Sequence, residues 1–265
     1  MENPESLASF RLKVARAKHH FGELQASMGA FFGDPEAYSF IKESHLESGV
    51  YAFRLKLHRP IPAEQWSLMI GDCVHNARSA LDHLFWALLC IQHPGAPPAD
   101  HWNANFPIYK LLGSFLKKKK LTEELIGPEA AAIVERLQPY QIRNPEDAVL
   151  WFLHEADVKD KHRLLVPSLS LLHKGHCQTI ARLPQVEFNL RSNLILQDRL
   201  HDGAVMATFV IEPPHSVVDV NLVQAQLGIS IERGPGQVLS VEKALSAAID
   251  EVESVPSQFP ALTNL

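Results

Sequence analysis

Cysteine is scarce: Cys73, Cys90 and Cys177 are the only three among 265 residues, odd in number and far apart. That excludes a disulfide framework, fits a reducing compartment and provides no zinc-binding spacing. Long apolar runs are missing too. No stretch approaches the roughly 18–20 apolar residues that cross a bilayer. The opening MENPESLASFRLKVARAKHH has neither an apolar core nor a small-residue cleavage site. Neither a membrane span nor a secretory leader is therefore expected, and the expectation is a cytoplasmic protein. No charge dominates: 25 Lys and Arg stand against 30 Asp and Glu, for a formal net charge of −5. A wholly basic nucleic-acid surface is thereby excluded, and any RNA contact is confined to a local patch; no DNA contact is expected. No Gly-rich phosphate loop follows a strand, since GPGQ at 234–237 reads as a turn before a helix. A G-x-S-x-G elbow and internal repeats are also absent. The one biased run, Lys117–Lys120, reads as a solvated loop or helix edge, with a handle for an acidic partner as the alternative.

What is present is ordered apolar patterning, with 46% apolar residues. Leu7, Phe10, Val14, Ala17, Phe21, Leu24, Met28 and Phe31 recur every three or four residues, which predicts an amphipathic helix over 6–32 ended by Gly33-Asp34-Pro35. VYAFRLKL at 50–57 alternates Tyr51, Phe53, Leu55 and Leu57, the pattern of a half-buried strand, before Pro60 and Pro62. A second helix from Ala63 to about Ile91 carries a seam of Trp66, Ile70, Cys73, Ala77, Leu81, Leu84 and Leu88. After the Pro-rich loop at 93–107, shorter helices are expected over 122–138 and after Pro145. Beyond residue 165, VEFNLRSNLILQ, DGAVMATFVIE and VVDVNLVQAQLGISIE read as strands, and Asp202-Gly203 as a hairpin turn. Val241, Leu245, Ala248 and Val252 return to helical spacing and are expected to pack on the sheet.

Helices first and strands later predict an α+β fold: long antiparallel N-terminal helices packed on a mostly antiparallel C-terminal sheet, closed by a C-terminal helix. The expected division is a helical bundle over 1–164 containing the lone strand 50–57, and a β-rich region with the last helix over 165–265. The lone strand joins the later sheet and makes one integrated domain.

Within the second helix, GDCVHNARSALDHLFWALL at 71–89 sets unusual chemistry beside its apolar seam. At about 100° per residue, Asp72, Asn76, Ser79 and His83 share one polar ridge with His75 and Asp82 beside it, whereas Arg78 lies about 140° from His83. Arg78-Ser79-Ala80-Leu81-Asp82-His83 resembles the R-x4–6-H motif of HEPN-domain ribonucleases. That resemblance implies RNA cleavage without a metal or other cofactor, at a homodimer interface. Arg78 would steady the phosphate under attack and His83 would move protons. More widely, GDxxHNxRSALDH at 71–83, FPI at 106–108, LQPY at 137–140, LWxL at 150–153 and DKHR at 160–163 resemble a large bacterial family of unknown function.

A second polar segment, HEADVKDKHR at 154–163, places Asp160 on the apolar side with Leu153, Ala156 and Leu164. An inward carboxylate needs a partner, naturally a basic group on another helix, with Arg78 a candidate. Lys161, His162 and Arg163 read either as a solvated helix end or as phosphate contacts beside Arg78 and His83. Two further readings stay open. Arg78 and Asp82 are spaced as an i,i+4 ion pair, and with Asn76, His83 and Asp160 they suit a structural network that fixes a pocket or interface of a non-catalytic binding protein. Alternatively, Asp72 and His75 with His154, Glu155 and Asp157 resemble the ligand sets of carboxylate and histidine metal enzymes. RNA-directed, HEPN-like action by Arg78 and His83, oriented by Asn76 and Asp160, is the leading expectation.

Overall fold

The structure, a computed structural model, describes residues 5–45, 47–96, 98–171, 178–182, 189–194, 200–212, 219–224, 227–234 and 237–262. In chain order its elements are α1 (Glu5–Phe32), β1 (Tyr38–His45), β2 (Val50–Leu57), α2 (Ala63–Gln92), α3 (Leu112–Ile126), α4 (Pro128–Arg136), α5 (Val149–Asp160), β3 (Ser168–Leu171), β4 (Gln178–Arg182), β5 (Asn189–Leu194), β6 (Val205–Glu212), β7 (Asp219–Gln224), β8 (Leu227–Gly234), β9 (Gln237–Ser240) and α6 (Val241–Ser254). The fold is α+β, and every strand pairing among the described residues is antiparallel. Among the described residues no helix is long and apolar enough to cross a membrane.

Two compact units make up the chain: residues 1–24, 64–165 and 242–265 form one, and 25–63 with 166–241 the other. The division differs from a single cut near residue 164 in two respects. The hairpin β1–β2 belongs with the later strands, because β2 pairs with β6 from Val50↔Val210 to Arg54↔Val205. And α6 falls in the helical unit, where its Glu253 carboxylate meets Lys18 Nζ of α1 at 2.6 Å.

In the helical unit, the spacing of apolar residues explains the helices directly. The whole seam from Trp66 to Leu88 is at most 2% exposed. Val74, Ala80, Phe85, Ala87 and Leu89 are buried beside it, so α2 is the central helix, covered on most of its circumference. On α1, Leu7, Phe10, Val14, Ala17 and Leu24 are buried, while Phe21 is only half-buried and His20 is the buried neighbour, bonded to Glu23 at 3.1 Å. The helix expected over 122–138 is two. Gly127 takes φ +83° and ends α3, and Pro128 opens α4 at its first turn, where a missing N–H costs nothing. Lys117–Lys120 lies on α3, its Lys119 paired with Glu135 at 2.9 Å.

In the β unit, the sheet order β1-β2-β6-β5 stands beside β3-β8-β9 and the pair β4-β7. Leu55, Leu169, Leu200, Ala204, Met206 and Leu227 form one core. Asp202-Gly203 is a turn, with Gly203 at φ +81°, and it docks on the end of β2: Gly203 N–H donates to Leu55 O at 2.8 Å and Asp202 Oδ1 accepts from Leu57 N–H at 2.8 Å. Parts of the expected strands (186–188, 195–197, 217–218 and 225–226), the middle of GPGQ, and Cys177 lie outside the described residues.

Candidate functional site

Residues 105–111 cross the helical unit as a segment without regular structure up to Tyr109, yet Phe106 and Ile108 are buried, at 0% and 4% exposure. Buried backbone outside a helix or sheet must find other partners, and three side chains supply them through four hydrogen bonds. Arg78 Nη2 donates to Phe106 O at 2.8 Å, and Asp82 Oδ1 accepts from Phe106 N–H at 2.9 Å. Arg78 Nη1 also donates to Asp82 Oδ1 at 2.7 Å. From the other side, Gln138 Nε2 donates to Pro107 O at 2.8 Å while its Oε1 accepts from Tyr109 N–H at 2.9 Å. Thus the RSALD, FPI and LQPY stretches are parts of one clamp. Arg78 is 8% exposed, and both its terminal nitrogens are engaged.

A second polar layer joins α2 to α5. Asp157 is buried, its side chain only 4% exposed, and both its oxygens are answered: His75 Nδ1 lies 3.2 Å from Oδ1 and Lys161 Nζ 2.6 Å from Oδ2. Such pairing is what lets a carboxylate sit below the surface. Asp160 faces Gly71, where an added Cβ would stand 2.6 Å from the carboxyl carbon; glycine is the residue that lets the helices meet there. Burial pushes the Asp160 carboxyl above its ordinary range, helped by the charges of Asp157 and Asp72 and partly offset by His75. The expected Asp160–Arg78 bridge is therefore corrected. Asp160 sits against Gly71, seven residues or about 10 Å along α2 from Arg78, and Arg78 is bonded to Asp82 and Phe106 instead.

The remaining residues of the expected site are dispersed. Asn76 Oδ1 accepts from Lys13 Nζ of α1 at 3.4 Å, and its Nδ2 donates to the Asp72 carbonyl at 2.8 Å. His83 is half-buried; burial first, then Lys13, holds it below the usual histidine range, with Asp82 opposing. Arg78 thus engages the 105–111 segment, whereas His83 senses α1. Asp72 and His75 are exposed, as are Lys161, His162 and Arg163 just past the end of α5. Among the described residues no three His, Cys, Asp or Glu side chains are grouped to hold a metal. Cys73 is sealed in the seam, where burial pushes its thiol up to about 12.

Beside the clamp lies a pocket of about 290 Å³, lined by Arg78, residues 105–111, Ser114, Trp151 and His154. Trp151 and His154, one turn apart on α5, place their rings 5.4 Å apart. Burial, then the Arg78 guanidinium, holds His154 below its ordinary value, against an opposing pull from Asp157. Lys110 Nζ stands 5.2 Å over the Trp151 ring and 2.6 Å from Glu146. Sequence reasoning missed Gln138, Tyr109, Lys110 and Trp151 as parts of this site. The signals available were that Gln138 and Trp151 lie in the LQPY and LWxL stretches, and that LQPY and FPI each carry apolar residues with no periodic element to bury them.

A scan with protein-family models, a search of curated proteins and a search of solved structures each return no match to this chain.

Proposed function

We propose that this chain is a small-molecule-binding protein whose ligand occupies the pocket between α2, α5 and residues 105–111. One observation carries the reading: a concave, mostly apolar pocket bounded by a side-chain-clamped wall, with Arg78, Lys110, Trp151 and His154 at its lining. A few polar groups converging on an apolar cavity with pre-formed walls are the usual make-up of a ligand site. Arg78 supports the reading by its commitments. Bonded to Asp82 and Phe106, it shapes the pocket wall, and it lies about 140° around α2 from His83. That arrangement favours binding over phosphodiester cleavage by the pair.

The test has two arms. A fragment library is screened by ligand-observed NMR on the wild type and on Ser114→Trp, which adds bulk at the lining, with circular dichroism as a folding control. Fragments should bind the wild type saturably and lose binding in the folded variant. In parallel, wild type, His83→Ala and Arg78→Lys are incubated with RNA in chelator. No cleavage is expected; cleavage by the wild type that disappears in both variants would overturn the reading in favour of a HEPN-like ribonuclease.

A further inference from the structure

Resting on that reading of the pocket, we infer that its ligand is a small organic anion, a single carboxylate carried on a planar apolar body. The lining contains two cations, Arg78 and Lys110, a histidine and a tryptophan, and no aspartate or glutamate. Two backbone acceptors of the wall are already used: Phe106 O takes the Arg78 bond and Pro107 O the Gln138 bond. Several of the lining side chains carry donors. Trp151 Nε1–H is buried with no hydrogen-bond partner among the described residues, and an indole N–H only donates. Arg78 has further N–H groups beyond the two bonds it makes, and Lys110 and Ser114 add an ammonium and a hydroxyl at the lining. A buried donor without an acceptor is costly, so an oxygen-bearing acceptor is the complement this site lacks.

The charge balance narrows the class. Asp82 answers Arg78 at 2.7 Å and Glu146 answers Lys110 at 2.6 Å, so the two cations are not bare. A monoanion whose charge is met by hydrogen bonds suits such a site; a phosphate dianion demands more uncompensated positive charge than these residues hold. The rest of the lining, Phe106, Pro107, Ile108, Leu111 and the Trp151 ring, accepts a flat apolar body, and tryptophan stacks such a body well.

Isothermal titration of the full chain with benzoate, benzamide and benzamidine, at fixed ionic strength, isolates the charge while holding the body constant. Benzoate should bind at one site about tenfold more tightly than benzamide, with benzamidine weakest. Lys110→Gln, checked for an unchanged melting profile, should weaken benzoate several-fold and leave benzamide unaltered, whereas Trp151→Phe, checked in the same way, should weaken both. Benzamide or benzamidine binding as tightly as benzoate at this pocket overturns the anion inference and leaves the binding function standing. Absence of binding by all three also overturns it. If the fragment screen is blank as well, the binding function falls with it.

Discussion

At the scale of single residues, Asp160 is held at a cost. Its carboxyl lies against Gly71, and burial together with Asp157 and Asp72 raises its proton affinity above that of the unfolded chain, whose reference value is 3.8. Above that value the folded state binds more protons than the unfolded state, so stability falls as pH rises through the folded value. By neutral pH the ionised group is a liability. Asp160→Asn should therefore melt at a higher temperature than wild type at pH 7. The difference should shrink as pH falls and vanish below about pH 3.8, where both states are protonated. A thermal denaturation series against pH checks this, and a lower melting temperature at pH 7 would contradict it. The Asp157 carboxylate, by contrast, has both His75 and Lys161 on it, and burial there is answered.

At the scale of elements, the clamp couples α2 to the 105–111 segment through one guanidinium. Arg78→Lys retains the charge but not the fork that reaches Asp82 and Phe106 O together, and it leaves a buried carbonyl short of a donor. The expected loss is about 2–3 kcal/mol, read by urea denaturation with an unchanged slope. A change below about 0.5 kcal/mol would mean the clamp carries little of the fold. The same clamp marks where the sequence could be read and where it could not. The Arg78–Asp82 pair was visible because four residues on a helix put side chains together. Their bonds to Phe106 span 28 and 24 residues and leave no periodic trace. Helices α1 and α2 were legible from their three- and four-residue spacing, and β2 from its alternation. β1 was not: YSFIKESH shows no alternating burial, as suits a strand at the end of the sheet order, paired on one side. Most of α3 was missed for a related reason. Leu112 and Leu116 are exposed, so its apolar residues do not all mark its buried face, while the Gly127-Pro128 break was hidden inside an apparently continuous pattern.

At the scale of the whole molecule, each unit is assembled from distant stretches of chain. The helical unit takes residues 1–24, 64–165 and 242–265, and the β unit 25–63 and 166–241. A fragment ending at residue 164 thus keeps α1 and α2 but loses α6 and the β6 partner of β2, leaving an unpaired strand edge. Such a fragment should show no cooperative thermal transition and should elute as aggregate in size-exclusion chromatography; a monomer with a sharp melt would show the first 164 residues to be self-sufficient. The interleaving bears on how the chain acquires its structure during synthesis. As the polypeptide leaves the ribosome, β2 emerges some 150 residues before β6, and the first helix waits for the last, whose Glu253 meets Lys18. Neither unit can close on a nascent chain until β6 and α6 have emerged. Early helices must therefore be shielded meanwhile, and a ribosome stalled midway would expose an apolar seam from Trp66 to Leu88 with part of its final cover still unmade.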